Sequence, residues 1–140
     1  MTEWLTENDR FLTKDFDGVE YVALYFGISN DMRVRIRWHA SNKHTQSSVS
    51  SRFLSTLRQT LSALLETPMS ESEDAVNKFI DDNCIWEWSY TDKLEEARQV
   101  ELDTLSPNSP YYYPLNVEDN NTIPQKATKW LKDQRKEYRH

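Results

Sequence analysis

Leu24-Tyr25-Phe26-Gly27-Ile28-Ser29-Asn30-Asp31-Met32-Arg33-Val34-Arg35-Ile36-Arg37-Trp38-His39 is the stretch on which the reading of this chain turns. It ends a strand, makes one tight turn and opens a helix. Over residues 19–28, Val19, Tyr21, Ala23 and Tyr25 alternate with Val22, Leu24 and Phe26. Both faces are mostly apolar, the pattern of a central strand. Gly27 to Asn30 stops it, and Ser29 or Asn30 carries an oxygen able to accept the first free helical N–H groups. On a helix over 31–40, Met32, Ile36 and Ala40 share an inner face, with Arg35 and His39 one turn apart along its edge. Tyr25, Arg35 and His39 thus offer a phenol, a guanidinium and an imidazole to one phosphate. Arg forks onto phosphate oxygens. A Tyr or His takes or relays a proton from water.

Working outward, residues 10–14 read as a strand, and Asp15-Phe16-Asp17-Gly18 as a turn because Asp-Gly favours positive φ. Residues 42–51 read as a Ser/Thr/His-rich loop. A helix over 51–66 carries Phe53, Leu57, Leu61 and Leu64 as its apolar stripe. A helix over 71–82 turns Val76, Phe79 and Ile80 inward. Residues 84–90 alternate Cys84, Trp86, Trp88 and Tyr90 with Ile85, Glu87 and Ser89, a strand pattern. Trp86 and Trp88 are expected in the core. A further helix covers 92–105, a loop rich in Pro, Asn and Tyr runs to 121, and Pro124 opens a last helix over about 123–138. The expected fold is α/β (α+β): a small three-stranded sheet flanked by helices.

The 140 residues suit one domain over 1–140. Aromatic residues make up 12%, too many for a disordered chain. The N-terminus, MTEWLTENDRF, has no apolar leader segment, and no apolar run is long enough to span a membrane, so a cytoplasmic protein is expected. One cysteine, Cys84, excludes an internal disulfide and a cysteine-only metal cage. Net charge is −6, which by itself argues against nucleic acid. Its distribution argues the other way. Residues 33–58 hold six basic side chains and no acid: Arg33, Arg35, Arg37, Lys43, Arg52 and Arg58. Residues 66–103 hold twelve acids against Lys78, Lys93 and Arg98. Local field governs phosphate binding more than net charge.

The quoted stretch resembles the second half of the GIY-YIG nuclease signature, with Tyr25-Phe26-Gly27 as the second triplet. The resemblance puts the family's catalytic Arg on Arg35 and its following His or Tyr on His39. Ser55-Thr56-Leu57-Arg58-Gln59-Thr60-Leu61-Ser62-Ala63-Leu64-Leu65 is similar to a helix of a bacterial subgroup of small stand-alone proteins. In that subgroup an aromatic strand, a helix with the metal-binding Glu, and Pro-Leu-Asn follow. Here they match Ile85-Trp86-Glu87-Trp88, the acidic helix, and Pro114-Leu115-Asn116. The core resemblance covers residues 21–116.

The resemblance implies a metal-dependent DNA endonuclease hydrolysing phosphodiester bonds. Mg2+ (or Mn2+) would be held by a Glu: Glu101, with Glu96 second; Arg98 lacks the oxygen a hard cation needs. Tyr25, Arg35, His39 and Glu101 form the implied catalytic set. Arg33, Arg37, Lys43, Arg52 and Arg58 are expected to follow the DNA backbone. Asn116 is expected to hold the Glu helix in place. Tyr111-Tyr112-Tyr113 offers either rings that stack on nucleic acid or a loop packed on the domain. Two features depart from the signature: the metal Glu aligns with Glu101 only through a short insertion, ungapped alignment putting Arg98 in that slot, and the first triplet is displaced. The first triplet should end near Lys14 or Asp15, and no tyrosine stands there; Phe11 is the nearest aromatic. The alternative is therefore a catalytically impaired fold acting as a DNA-binding or protein-interaction module, with the acidic 66–103 region as the surface for a protein partner.

Overall fold

Asp17 and Gly18 both lie in the left-handed region, at φ 51° and 80°. Two consecutive positive φ angles make the tight turn whose twist matches an antiparallel hairpin. A computed structural model, which describes residues 10–140, places strand β1 (Thr13–Phe16) and strand β2 (Val19–Val22) on either side of that turn. The register pairs Thr13 with Val22, Lys14 with Tyr21, Asp15 with Glu20 and Phe16 with Val19. The reading of residues 1–9 as free of an apolar leader lies outside the described residues.

The chain divides into two compact units, each built from two sequence segments. The first comprises Met1–Ile28 and Tyr90–Trp130. It contains the hairpin, a helix at Leu94–Thr104, the loop after it, and the start of the last helix. The second comprises Ser29–Ser89 and Leu131–His140. It contains helix α1 (Met32–Ser41), a short helix α2 (Gln46–Ser50), α3 (Thr56–Leu64) and α4 (Glu73–Asn83). The Leu94–Thr104 helix is then α5, and the last helix, Gln125–Glu137, is α6.

In the first unit, Tyr112, Ile123 and Ala127 pack together with Phe11 against them. Phe11 and Tyr112 form an isolated parallel bridge, with rings edge to face at 5.7 Å. Arg10 adds its guanidinium 4.4 Å over the Tyr112 ring. In the second unit, α3 packs on α1 and on α4, and α1 packs on α4. Val49, Leu54 and Met69 make an apolar cluster.

Three expectations from sequence are corrected here. Among the described residues the ladder has two strands, not three. Residues 23–28 carry the apolar alternation onward without a ladder, and residues 84–90 form no strand. The expected helix over 51–66 starts at Thr56 instead. Arg52 sits at φ 64°, a conformation no helix continues through, and the Ser55 side chain supplies the N-cap by accepting the Arg58 N–H. Phe53 therefore precedes the helix and is 76% exposed rather than part of its stripe, whereas Leu57 and Leu61 are buried as expected. The cap of α1 is Asp31, not Ser29 or Asn30. Its carboxylate accepts the Arg33 and Val34 N–H groups at 3.0 and 3.2 Å, while Ser29 Oγ accepts the Asp31 N–H. Within the 42–51 loop, Thr45 caps α2 by accepting the Ser48 N–H at 3.0 Å.

Candidate functional site

Tyr25 is half-buried in the first unit, just beyond β2. Its neighbour Phe26 is held by main chain. The Phe26 N–H donates to Asn116 Oδ1 at 2.8 Å, and Asn116 Nδ2 donates back to the Phe26 carbonyl at 2.8 Å. The Leu115 N–H donates to the Leu24 carbonyl at 2.9 Å. Asn116 is buried, so both bonds run away from water. Its carbonyl also accepts from Asn120 Nδ2, at 2.9 Å. Asn116 was expected to steady the Glu helix; its side chain bonds the Tyr25-Phe26-Gly27 triplet instead. Tyr112 and Tyr113 are buried, with the Phe26 ring edge to face on Tyr113 at 5.9 Å, so only Tyr111 of the three is exposed.

Also in the first unit, α5 has no fully buried residue. Its half-buried positions are Leu94, Ala97, Glu101 and Thr104, spaced by three and four, so they form one stripe. Glu101 is the acid on that stripe; Glu95, Glu96 and Asp103 are exposed.

Arg35 and His39 lie in the second unit, one turn apart on α1. The half-buried Arg35 guanidinium sits 5.6 Å from the Trp38 ring centre. His39, expected at an edge, is 3% exposed and is the buried residue of α1. Its Nδ1 is 2.5 Å from Ser55 Oγ. Its ring lies nearly parallel to Trp86, at 16° and 6.5 Å between centres. Burial pushes the His39 pKa down to about 4, and the Arg35 and Arg58 charges push the same way. The imidazole is neutral at pH 7.

Arg58 departs most from expectation. It is fully buried on α3, and its donors point inward. Nε donates to His44 Nε2 at 2.9 Å, and Nη1 to the His39 and Ala40 carbonyls at 3.2 and 2.9 Å. Nη2 donates to Asn77 Oδ1 at 2.6 Å. A side chain so committed is a structural cation at the C-terminal end of α1, where the helix dipole favours positive charge, and its buried donors are out of reach of a DNA phosphate. His44 continues the network, with Nδ1 at 2.8 Å from the Met69 carbonyl and 3.0 Å from Ser72 Oγ. Burial lowers its pKa as well.

The remaining basic residues lie outside. Arg33, Arg37, Lys43 and Arg52 are exposed. Lys43 Nζ pairs with Glu73 at 2.9 Å, and that hydrogen bond is the largest cause of the lowered Glu73 pKa. Gln59 Oε1 accepts from both Arg135 and Arg139, at 3.1 and 2.8 Å. Trp86 is half-buried, whereas Trp88 is 52% exposed, a departure from the core role expected of it. Sequence reasoning quoted Ser55 without giving it a task. The signal was available: a serine immediately ahead of an apolar helical stripe is an N-cap, and a cap oxygen lies fixed in space.

Among the described residues no group of three or more His, Cys, Asp or Glu side chains is arranged to hold a metal ion. A lone half-buried carboxylate such as Glu101 fits a hard divalent ion that keeps most of its waters, in the manner of Mg2+. No helix among the described residues is long and apolar enough to cross a membrane.

A model of the GIY-YIG catalytic domain matches residues 3–137, nearly the whole chain, and the protein belongs to that family. No curated protein and no solved structure matches the chain.

Proposed function

We propose that the protein is a divalent-metal-dependent DNA endonuclease that hydrolyses phosphodiester bonds through Tyr25, Arg35, His39 and Glu101, acting as one domain over residues 1–140. The observation that carries the reading is the Tyr25-to-His39 segment within a chain that belongs to the GIY-YIG family over residues 3–137. Arg35 neutralises charge that builds on the phosphate as the new bond forms. Tyr25 sits on a backbone that Asn116 fixes, which suits a group that must hold an attacking water. The stripe position of Glu101 favours it over Glu96 as the metal ligand. Bound Mg2+ or Mn2+ would polarise the phosphate and steady the leaving oxygen. Arg33, Arg37 and Arg52 are exposed cations suited to backbone phosphates, and Lys43 would join them by exchanging Glu73 for phosphate.

One observation favours a second reading, a family member that binds DNA without cutting it. The register of the hairpin puts Lys14 and Asp15 opposite Tyr21 and Glu20, and β1 contains no tyrosine. The test is cleavage of plasmid and branched DNA with Mg2+ or Mn2+. The wild-type chain is compared with Arg35→Ala and Glu101→Gln. Nicking by the wild type that drops about a hundredfold or more in each variant supports the endonuclease. Salt-dependent binding with no cleavage under either metal supports the second reading.

A further inference from the structure

His39 and Ser55 meet inside the second unit, and a count of hydrogens fixes what they share. Ser55 is fully buried. Its main-chain N–H donates to Asn42 Oδ1 at 3.0 Å. Its Oγ accepts the Arg58 main-chain N–H at 3.4 Å, the helix cap. The other neighbour of that oxygen is His39 Nδ1, at 2.5 Å. A hydroxyl has one hydrogen to give and two lone pairs to receive with. The cap uses a lone pair. The hydrogen, out of reach of water, still needs an acceptor, and His39 Nδ1 is the acceptor beside it. With the imidazole proton on Nδ1, that N–H would fill the second lone pair and the serine hydrogen would be stranded without an acceptor.

We infer that Ser55 holds His39 as the neutral imidazole with its proton on Nε2, so that His39 acts as a hydrogen-bond donor and Ser55 is its positioning residue. The surroundings agree. Arg35 from its own helix and Arg58 from α3 are cations that both disfavour a proton on the ring. The Trp86 face is uncharged. The inference rests on the proposed nuclease reading for its consequence, though not for its geometry. Nε2 is buried along with the rest of the ring, and in its protonated form it is a donor only. His39 cannot take the water's proton through that nitrogen, and Nδ1 is occupied by Ser55. Proton acceptance then falls to Tyr25 or to hydroxide already present.

The test is the long-range 1H–15N spectrum of the histidine rings in the full-length, 15N-histidine-labelled protein near pH 7. The expected His39 pattern has a protonated Nε2 and a bare, hydrogen-bonded Nδ1. Ser55→Ala should give a mixture of tautomers, and Ser55→Thr, which keeps both hydroxyl and cap, should restore the single form. A wild-type pattern with Nδ1 protonated, or with the two nitrogens averaged, overturns the inference. If Ser55→Ala does not fold, the wild-type and Ser55→Thr spectra decide. In cleavage assays Ser55→Ala should lower kcat roughly tenfold with KM unchanged, and Ser55→Thr should recover it. A wild type that shows the Nε2–H form but cuts no DNA sinks the nuclease reading and leaves the tautomer assignment standing, so the two failures are distinguishable.

Discussion

The surroundings of Tyr25 and those of His39 are built in opposite ways. In the first unit a buried asparagine grips the main chain beside Tyr25 and fixes where the strand ends. In the second unit a serine, an arginine and a tryptophan act on His39 directly, through its ring nitrogen, its carbonyl and its ring face. A backbone grip sets position and leaves the side chain its rotamers. A ring grip sets charge, tautomer and orientation together. The contrast teaches that the two residues meet different demands: Tyr25 has to be in the right place, and His39 has to be in the right state.

The largest effect should come from breaking the chemistry without touching either grip. Arg35→Ala is expected to reduce cleavage by about two to three orders of magnitude while leaving the stability of the fold nearly unchanged. Single-turnover cleavage and thermal melting together check this. Next comes the ring side of the comparison. Arg58→Ala strips donors from His44, Asn77 and two carbonyls at once and should destabilise the protein by about 3–5 kcal/mol, read from denaturant unfolding. The same experiment on Lys43→Ala, which removes one exposed ion pair, should move stability by less than about 1 kcal/mol.

A pH titration sharpens the ring grip further. The folded His39 pKa, about 4, lies below the ordinary 6.5, so between those values the unfolded chain binds more protons than the folded one. Stability should therefore be full above pH 6.5 and fall as pH drops from about 6.5 to 4, by about 3 kcal/mol for this residue. His44 contributes in the same direction. His39→Gln should flatten the part of that slope due to His39. The smallest of the main effects belongs to the backbone grip. Asn116→Ala leaves the Phe26 N–H and carbonyl without their partner and should cost about 2 kcal/mol, with a fall in kcat rather than a rise in KM if Tyr25 loses its place.

Of the segment from Tyr25 to His39, the turn and the helix were legible in the sequence, whereas the strand stops at Val22 and the cap is Asp31. The family resemblance and the α+β class followed from it. The helices over 71–82 and 92–105 were legible, the first from the spacing of Val76, Phe79 and Ile80, and the structure places α4 and α5 close to them. The third strand was not. Apolar alternation over residues 84–90 reports which side chains turn inward, not whether a neighbouring backbone completes a ladder. Arg58 was read as a surface cation because charge is the only property a sequence displays for arginine. Its commitment to His44, Asn77 and the end of α1 depends on residues 14 to 19 positions away. Ser55 was misplaced inside a helix for a related reason. The break at Arg52 is a backbone angle that its side chain does not announce.

The second unit takes its last segment from the far end of the chain, and this has a consequence for synthesis. Gln59 finds Arg135 and Arg139 across sequence separations of 76 and 80 residues. The Met69 and Ser70 N–H groups donate to the carbonyls of Tyr138 and His140. On a ribosome adding about 5–20 residues per second, these groups wait roughly 4 to 16 seconds for partners that do not yet exist. During that interval α3 is made, and Gln59 can reach the Leu54 carbonyl through Nε2 while its Oε1 has neither arginine. The unit therefore closes only after residues 131–140 have left the exit tunnel.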